Sequence, residues 1–231
     1  MKSLVRLLIC STVLAGLSLT ARSENPSKEA LSQLHEFIGE WNGNGNPDGK
    51  KNAAGWKETF AWGWRFKGDD AWLTLNVTNG KYLKSGELRW IDDKKAYEFN
   101  ATMKDGTKQV FEGTYKKDIL TLERIDAKSN ERQQFTMNTA AEGIRFLVKY
   151  RKASGGGKLF SSVYSIQANK EGESLAAKGS KNICVVSGGA GTTAVSFKGE
   201  TFYVCCGGCK DAFAENPEKY VKEFKAKKAA N

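Results

Sequence analysis

The residues of this 231-residue chain best equipped for chemistry are four cysteines near one end: Cys184, Cys205, Cys206 and Cys209. Twenty residues separate Cys184 from Cys205, and three separate Cys205 from Cys209. Thiolates select Cu(I) or Zn over hard cations, and neither a histidine nor a carboxylate cluster competes nearby. Four is also an even number, which suits a disulfide framework with three possible pairings. One of those pairings joins Cys184 to Cys209 and forces the adjacent Cys205 and Cys206 into a strained ring. A third chemistry is thiol redox, because Cys206-Gly-Gly-Cys209 has CxxC spacing at a helix start, where a thiol pKa is depressed.

The residues between the cysteines predict how they are brought together. Ala194 to Phe197, a Lys198-Gly199 turn and Thr201 to Val204 read as a β-hairpin, which returns Cys184 to the side of Cys205. Gly207-Gly208 lets the backbone wrap so that Cys209, opening a helix, points to the same centre. Asn216-Pro217 caps a final amphipathic helix, whose Tyr220 and Phe224 cover a small core together with Phe213.

This stretch, residues 182 to 224, closely resembles the TRASH/YHS-type domains associated with sensing and trafficking of heavy metals. Their pattern is a first Cys, about twenty residues, an aromatic pair before a second Cys, three residues, a third Cys and a Phe four residues later. Cys184, Phe202-Tyr203, Cys205, Cys209 and Phe213 fill those positions in order. Cys206 departs from the pattern, which often has Ser there, and reads as a fourth ligand or a spare thiol. The resemblance implies a soft or borderline metal, Zn or Cu(I), held by Cys184, Cys205, Cys206 and Cys209. Structural disulfides are the alternative. A thiol oxidoreductase using Cys206 and Cys209 is a further one, against which the missing thioredoxin-like βαβ pattern counts.

Upstream, all six Trp lie between Trp41 and Trp90, and the period is that of strands. Phe60, Trp62, Trp64 and Phe66 share one face. Leu73, Leu75 and Val77 repeat the rule, as do Tyr97, Phe99, Ala101 and Met103, and Ile144, Phe146, Val148 and Tyr150. Turn signals such as Asn79-Gly80, Lys117-Asp118 and Glu142-Gly143 separate eight to ten strands, and such a meander removes its edges by closing into an up-and-down barrel. A short helix precedes it, with Asn25-Pro26 at its start, Leu31, Leu34 and Ile38 on its apolar stripe, and Gly39 where a C-terminal glycine sits. Gly39-Glu40-Trp41 resembles the Gly-x-Trp signature of lipocalins and other calycin-like barrels. That resemblance implies an interior for a small apolar ligand, with an interior filled by Trp and Phe as the alternative. Haem-binding relatives need an axial histidine, and His35, the chain's one histidine, stands before the strands. No nucleophile, base and orienter set marks an enzyme.

The expected fold is therefore mainly β: a lipocalin/calycin-like antiparallel barrel over residues 24–169 with a short N-terminal helix, a linker at 170–181, and a small α+β cysteine module at 182–231. Residues 1–23 read as a secretory signal, with Lys2 and Arg6, an apolar run from Leu7 to Leu19 and Ala21-Arg22-Ser23 at its exit. Ile9 argues against lipid attachment at Cys10. The protein is thus expected to be exported, periplasmic or extracellular. Its formal charge of +10 is spread over both parts with no basic run interleaved with aromatics, which excludes nucleic acid as the expected partner. Outside the leader no apolar run approaches the roughly 18 residues of a membrane span.

Overall fold

Strict alternation of burial along the strands decides the architecture. In β2 (Trp56–Lys67), Glu58, Phe60, Trp62 and Trp64 are buried, while Lys57 and Arg65 are exposed, so one face of the strand is a core face. The computed structural model describes residues 25–49, 53–154, 157, 159–171 and 182–230. The other strands of this sheet are β1 (Gly39–Pro47), β3 (Asp70–Thr78), β4 (Leu83–Ile91), β5 (Ala96–Met103), β6 (Lys108–Lys116), β7 (Ile119–Ile125), β8 (Arg132–Ala140), β9 (Arg145–Ala153) and β10 (Ser161–Lys170). Each pairs antiparallel with its neighbour in sequence, and β10 pairs with β1, which closes a ten-stranded up-and-down barrel. The expected turns join the strands through left-handed residues: Asn79 (φ 57°), Lys117 and Asp118 (φ 50° and 61°), Glu142 and Gly143 (φ 58° and 81°).

One end of the barrel is plugged by the N-terminal segment. Asn25 caps α1 (Pro26–Ser32) as expected, its side-chain oxygen accepting from the backbone N–H groups of Ser27 and Lys28. The helix stops at Ser32, and a 3-10 turn at His35–Phe37 follows. Gly39 is therefore not the helix's terminal glycine. It opens β1 with φ 131°, a conformation L side chains rarely adopt. This turn drives Leu34, Phe37 and Ile38 into the barrel, where Phe146 meets Phe37, Trp41 and Phe60 at ring distances of 4.7, 5.1 and 5.4 Å. The Phe37 and Phe60 rings meet Phe146 edge to face, an arrangement that adds about 0.5–1.5 kcal/mol per pair beyond burial. Trp41 donates its indole N–H to the Phe37 carbonyl at 2.9 Å, and Tyr97 its hydroxyl to the Ala30 carbonyl at 2.6 Å.

Beyond the barrel, β11 (Thr193–Phe197) and β12 (Glu200–Val204) form the expected hairpin, turning at Lys198 (φ 49°) and Gly199 (φ 80°). Two helices follow, α2 (Gly207–Glu215) and α3 (Pro217–Ala230), with Asn216 Oδ1 accepting from the Lys219 N–H at the junction. Phe202, Phe213 and Phe224 pack as expected: Phe202 lies 6.0 Å from Phe213 and 6.4 Å from Phe224, ring to ring. The module's buried residues and the barrel's form one continuous core. The expected leader, residues 1–23, and all of the expected linker except Lys170, which ends β10, and Glu171 lie outside the described residues. Among the described residues, no helix is long and apolar enough to cross a membrane.

Candidate metal centre

Two short segments deliver the cysteines. Cys184 sits in a bridge beside Tyr203 of β12, with its N–H donated to the Gly189 carbonyl at 2.7 Å, and the next residue, Val185, donates to the Tyr203 carbonyl at 2.8 Å. The chain then turns back through Gly188 (φ 80°) and passes so close to Tyr203 that a Cβ at Gly191 would stand 2.6 Å from the Tyr203 Cβ. Cys205 and Cys206 follow β12 directly. Cys206 occupies the N-cap of α2 with extended backbone, and Cys209 lies in that helix's first turn.

The sulfurs of Cys184, Cys205 and Cys209 all lie within 4.8 Å of one another. Cys205 Sγ is 3.5 Å from Cys209 Sγ and 3.9 Å from Cys206 Sγ. All four are free thiols. Four sulfurs placed tetrahedrally at a Zn–S distance of about 2.3 Å stand roughly 3.8 Å apart, so the two separations bracket the value a zinc site needs. Cys184 and Cys209 are fully buried; Cys205 and Cys206 are half-buried. The donors are soft and of one kind, which suits Cu(I) or Zn.

Cys206 stands apart from the triad. Its sulfur accepts the backbone N–H of Trp64, on the barrel, at 3.4 Å. Ser187 adds two polar contacts: its N–H donates to Cys184 Sγ at 3.4 Å, and its hydroxyl lies 3.3 Å from Cys205 Sγ. The cysteine spacing alone does not mark Ser187. Its position three residues after Cys184, where a turn folds back over the preceding side chain, is the signal that would have found it.

Neighbouring thiols divide the protons among themselves. Hydrogen bonds from Cys205 and Cys209 pull Cys184 far below the ordinary thiol value, and the same two donors, helped by the Trp64 N–H, lower Cys206. Cys205 is raised by its bonds to Cys184 and Cys206, and Cys209 by its bonds to Cys184, Cys205 and Cys206. Cys209 thus departs from the low pKa expected of a thiol at a helix start, because its hydrogen bonding with three neighbouring thiols outweighs the helix terminus. A metal ion binds thiolates, so its arrival would displace the protons that these sulfurs hold.

His35 is exposed, its Nδ1 3.1 Å from the Ser32 carbonyl, and stands outside the thiol cluster. The barrel interior carries a separate feature. Glu58, 7% exposed, shares the core face of Phe60 and Trp62 and accepts from Trp56 Nε1 at 2.7 Å and the Lys81 N–H at 3.3 Å. Its parity with Phe60 was readable from the sequence and marks it as an inward carboxyl. Beside it, near Tyr82 and Tyr164, the packed rings leave a cavity of about 30 Å³, room for water rather than for a drug-sized ligand.

No family model matches this chain, and no curated protein matches it. Among solved structures it is similar to that of Rv2717c from M. tuberculosis at 15% identity, over 62% of this chain and 97% of that one, with a TM-score of 0.38.

Proposed function

We propose that this is an exported heavy-metal-binding protein, which holds a Zn or Cu(I) ion on Cys184, Cys205 and Cys209, with Cys206 as the fourth sulfur, for trafficking or sequestration. The observation that carries the reading is the convergence of three sulfurs within 4.8 Å of one another, delivered by two stretches of chain twenty residues apart. The cysteine and aromatic frame that resembles TRASH/YHS-type domains supports the same reading, and the leader-like residues 1–23 support export. The ion would be held by thiolates in a mostly buried pocket, with Ser187 and the Trp64 N–H balancing sulfur charge. The barrel positions the module in this reading.

The test is metal analysis with thiol counting on protein beginning at residue 24 and made under reducing conditions. About one metal per chain is expected, lost in Cys184→Ser and Cys209→Ser and weakened in Cys206→Ser. No metal after loading with Zn(II) and with Cu(I), together with four cysteines found in disulfides, overturns the reading.

A further inference from the structure

The module does not dock on the barrel at random. β1 begins at Gly39, opposite Trp62, so beyond Trp62 the adjacent edge of β2 has no strand beside it among the described residues. At Trp64 that edge carries an N–H and a carbonyl. The N–H is donated to Cys206 Sγ at 3.4 Å, and the carbonyl faces Gly208 so closely that a Cβ there would stand 1.7 Å from its oxygen. The segment Cys206–Gly208 thus continues the lane that β1 leaves empty. Gly207 has nothing within 4 Å of its would-be Cβ, so the expectation that both glycines serve to wrap the thiols is corrected: Gly208 serves the approach to the barrel. Around this contact Lys219 reaches Asp69 at 3.3 Å.

Resting on the metal-binding reading, we propose that Cys206 couples the metal centre to the barrel. Its sulfur is the fourth donor to the ion held by Cys184, Cys205 and Cys209 and, at the same time, the acceptor of the Trp64 N–H. A hydrogen bond to a metal-bound thiolate withdraws charge from the sulfur and fixes its direction, so the barrel edge acts as an outer shell of the site. Docking and metal occupancy then strengthen each other, and the coupling is reciprocal: whatever factor docking adds to metal affinity, metal adds to docking. Cys206 is a donor with a positioning partner on the barrel, and Trp64 acts through its backbone alone.

The experiment compares wild type with Gly208→Ala, which keeps every thiol and sets a methyl against the Trp64 carbonyl. Zn(II) affinity is read by competition with a chelator, and hydrogen exchange of the Trp64 amide is read with and without Zn(II). The expected result is slower Trp64 exchange on Zn(II) loading in wild type, and Zn(II) binding about tenfold weaker in Gly208→Ala at unchanged stoichiometry. Asp69→Lys, an exposed change that leaves every thiol in place, provides a second variant should Gly208→Ala fold poorly, with a weakening of about two- to threefold expected. Equal Zn(II) affinity in wild type and in both variants, or Trp64 exchange indifferent to Zn(II), overturns the coupling while leaving the metal site standing. A wild type that takes up neither Zn(II) nor Cu(I) overturns the metal reading, and the coupling with it.

Discussion

The backbone N–H of Trp64 meets the sulfur of Cys206 at 3.4 Å across 142 positions of sequence. The bond joins the end of β2 that β1 leaves uncovered to the N-cap of α2, and so the geometry of the thiol cluster depends on a strand that contributes no thiol to it.

Metal affinity should rise with pH. Cys205 and Cys209 hold their protons above the ordinary thiol value, through their bonds to Cys184 first of all. The free site therefore binds more protons than the loaded one, and raising the pH favours metal. Chelator competition at pH 6, 7 and 8 should show Zn(II) affinity climbing by up to about tenfold per released proton per pH unit. A flat profile would mean that the cysteines are already fully ionised.

Glu58→Gln should stabilise the barrel at neutral pH. Burial raises the Glu58 carboxyl above its ordinary value of 4.5, and the hydrogen bonds from Trp56 and Lys81 only partly offset this. The folded chain keeps this proton to higher pH than the unfolded chain, so Glu58 lowers stability as pH rises from the ordinary value through the folded one. The variant's Tm should exceed that of wild type at pH 7, with the difference closing near pH 4. An equal difference at both pH values would assign the effect to packing instead.

Two glycines, one in the module and one in the barrel, should answer differently to alanine. Gly207→Ala meets open space at the first turn of α2 and should be neutral or stabilising by up to about 1 kcal/mol. Gly113→Ala, in the barrel, puts a Cβ 1.7 Å from the Thr121 carbonyl oxygen and should cost about 1–3 kcal/mol, with metal stoichiometry unchanged. Urea titration of both variants measures this, and a Gly113→Ala protein as stable as wild type would mean that the β6–β7 pair yields easily.

Phe213→Ala should weaken the module more than the barrel. The ring packs against Phe202 at 6.0 Å and Phe197 at 6.4 Å, and its loss is expected to cost about 3–5 kcal/mol. Hydrogen exchange should show β11 and β12 opening while β4 to β8 stay protected. Uniform loss of protection over both would show that they unfold together.

Strand alternation made the barrel legible before any coordinates, because Phe60-Trp62-Trp64 and Tyr97-Phe99-Ala101 each need one apolar side. The hairpin at Lys198-Gly199 and the convergence of Cys184, Cys205 and Cys209 were legible for the same local reasons. Two things were hidden. The role of Gly39 depended on where α1 gives way to a 3-10 turn, a choice made by Phe37 finding its place among rings from β2, β6 and β9. The setting of Cys206 depended on β1 starting two residues too late to cover Trp64, a relation between distant strands that no local pattern records.

Strand number in this barrel acts as an address. Directions alternate around the ring, so a chain that starts β1 at one rim returns to that rim after β10 only because ten is even; there the Glu171 N–H meets the Glu40 carbonyl at 2.8 Å. Gaining or losing a whole hairpin would change the girth and still deliver the tail to the rim where Trp64 waits. Gaining or losing a single strand would send it to the far rim, past Glu58 and Tyr82, and the cysteines would arrive at the opposite end of the barrel from the Trp64 N–H and carbonyl.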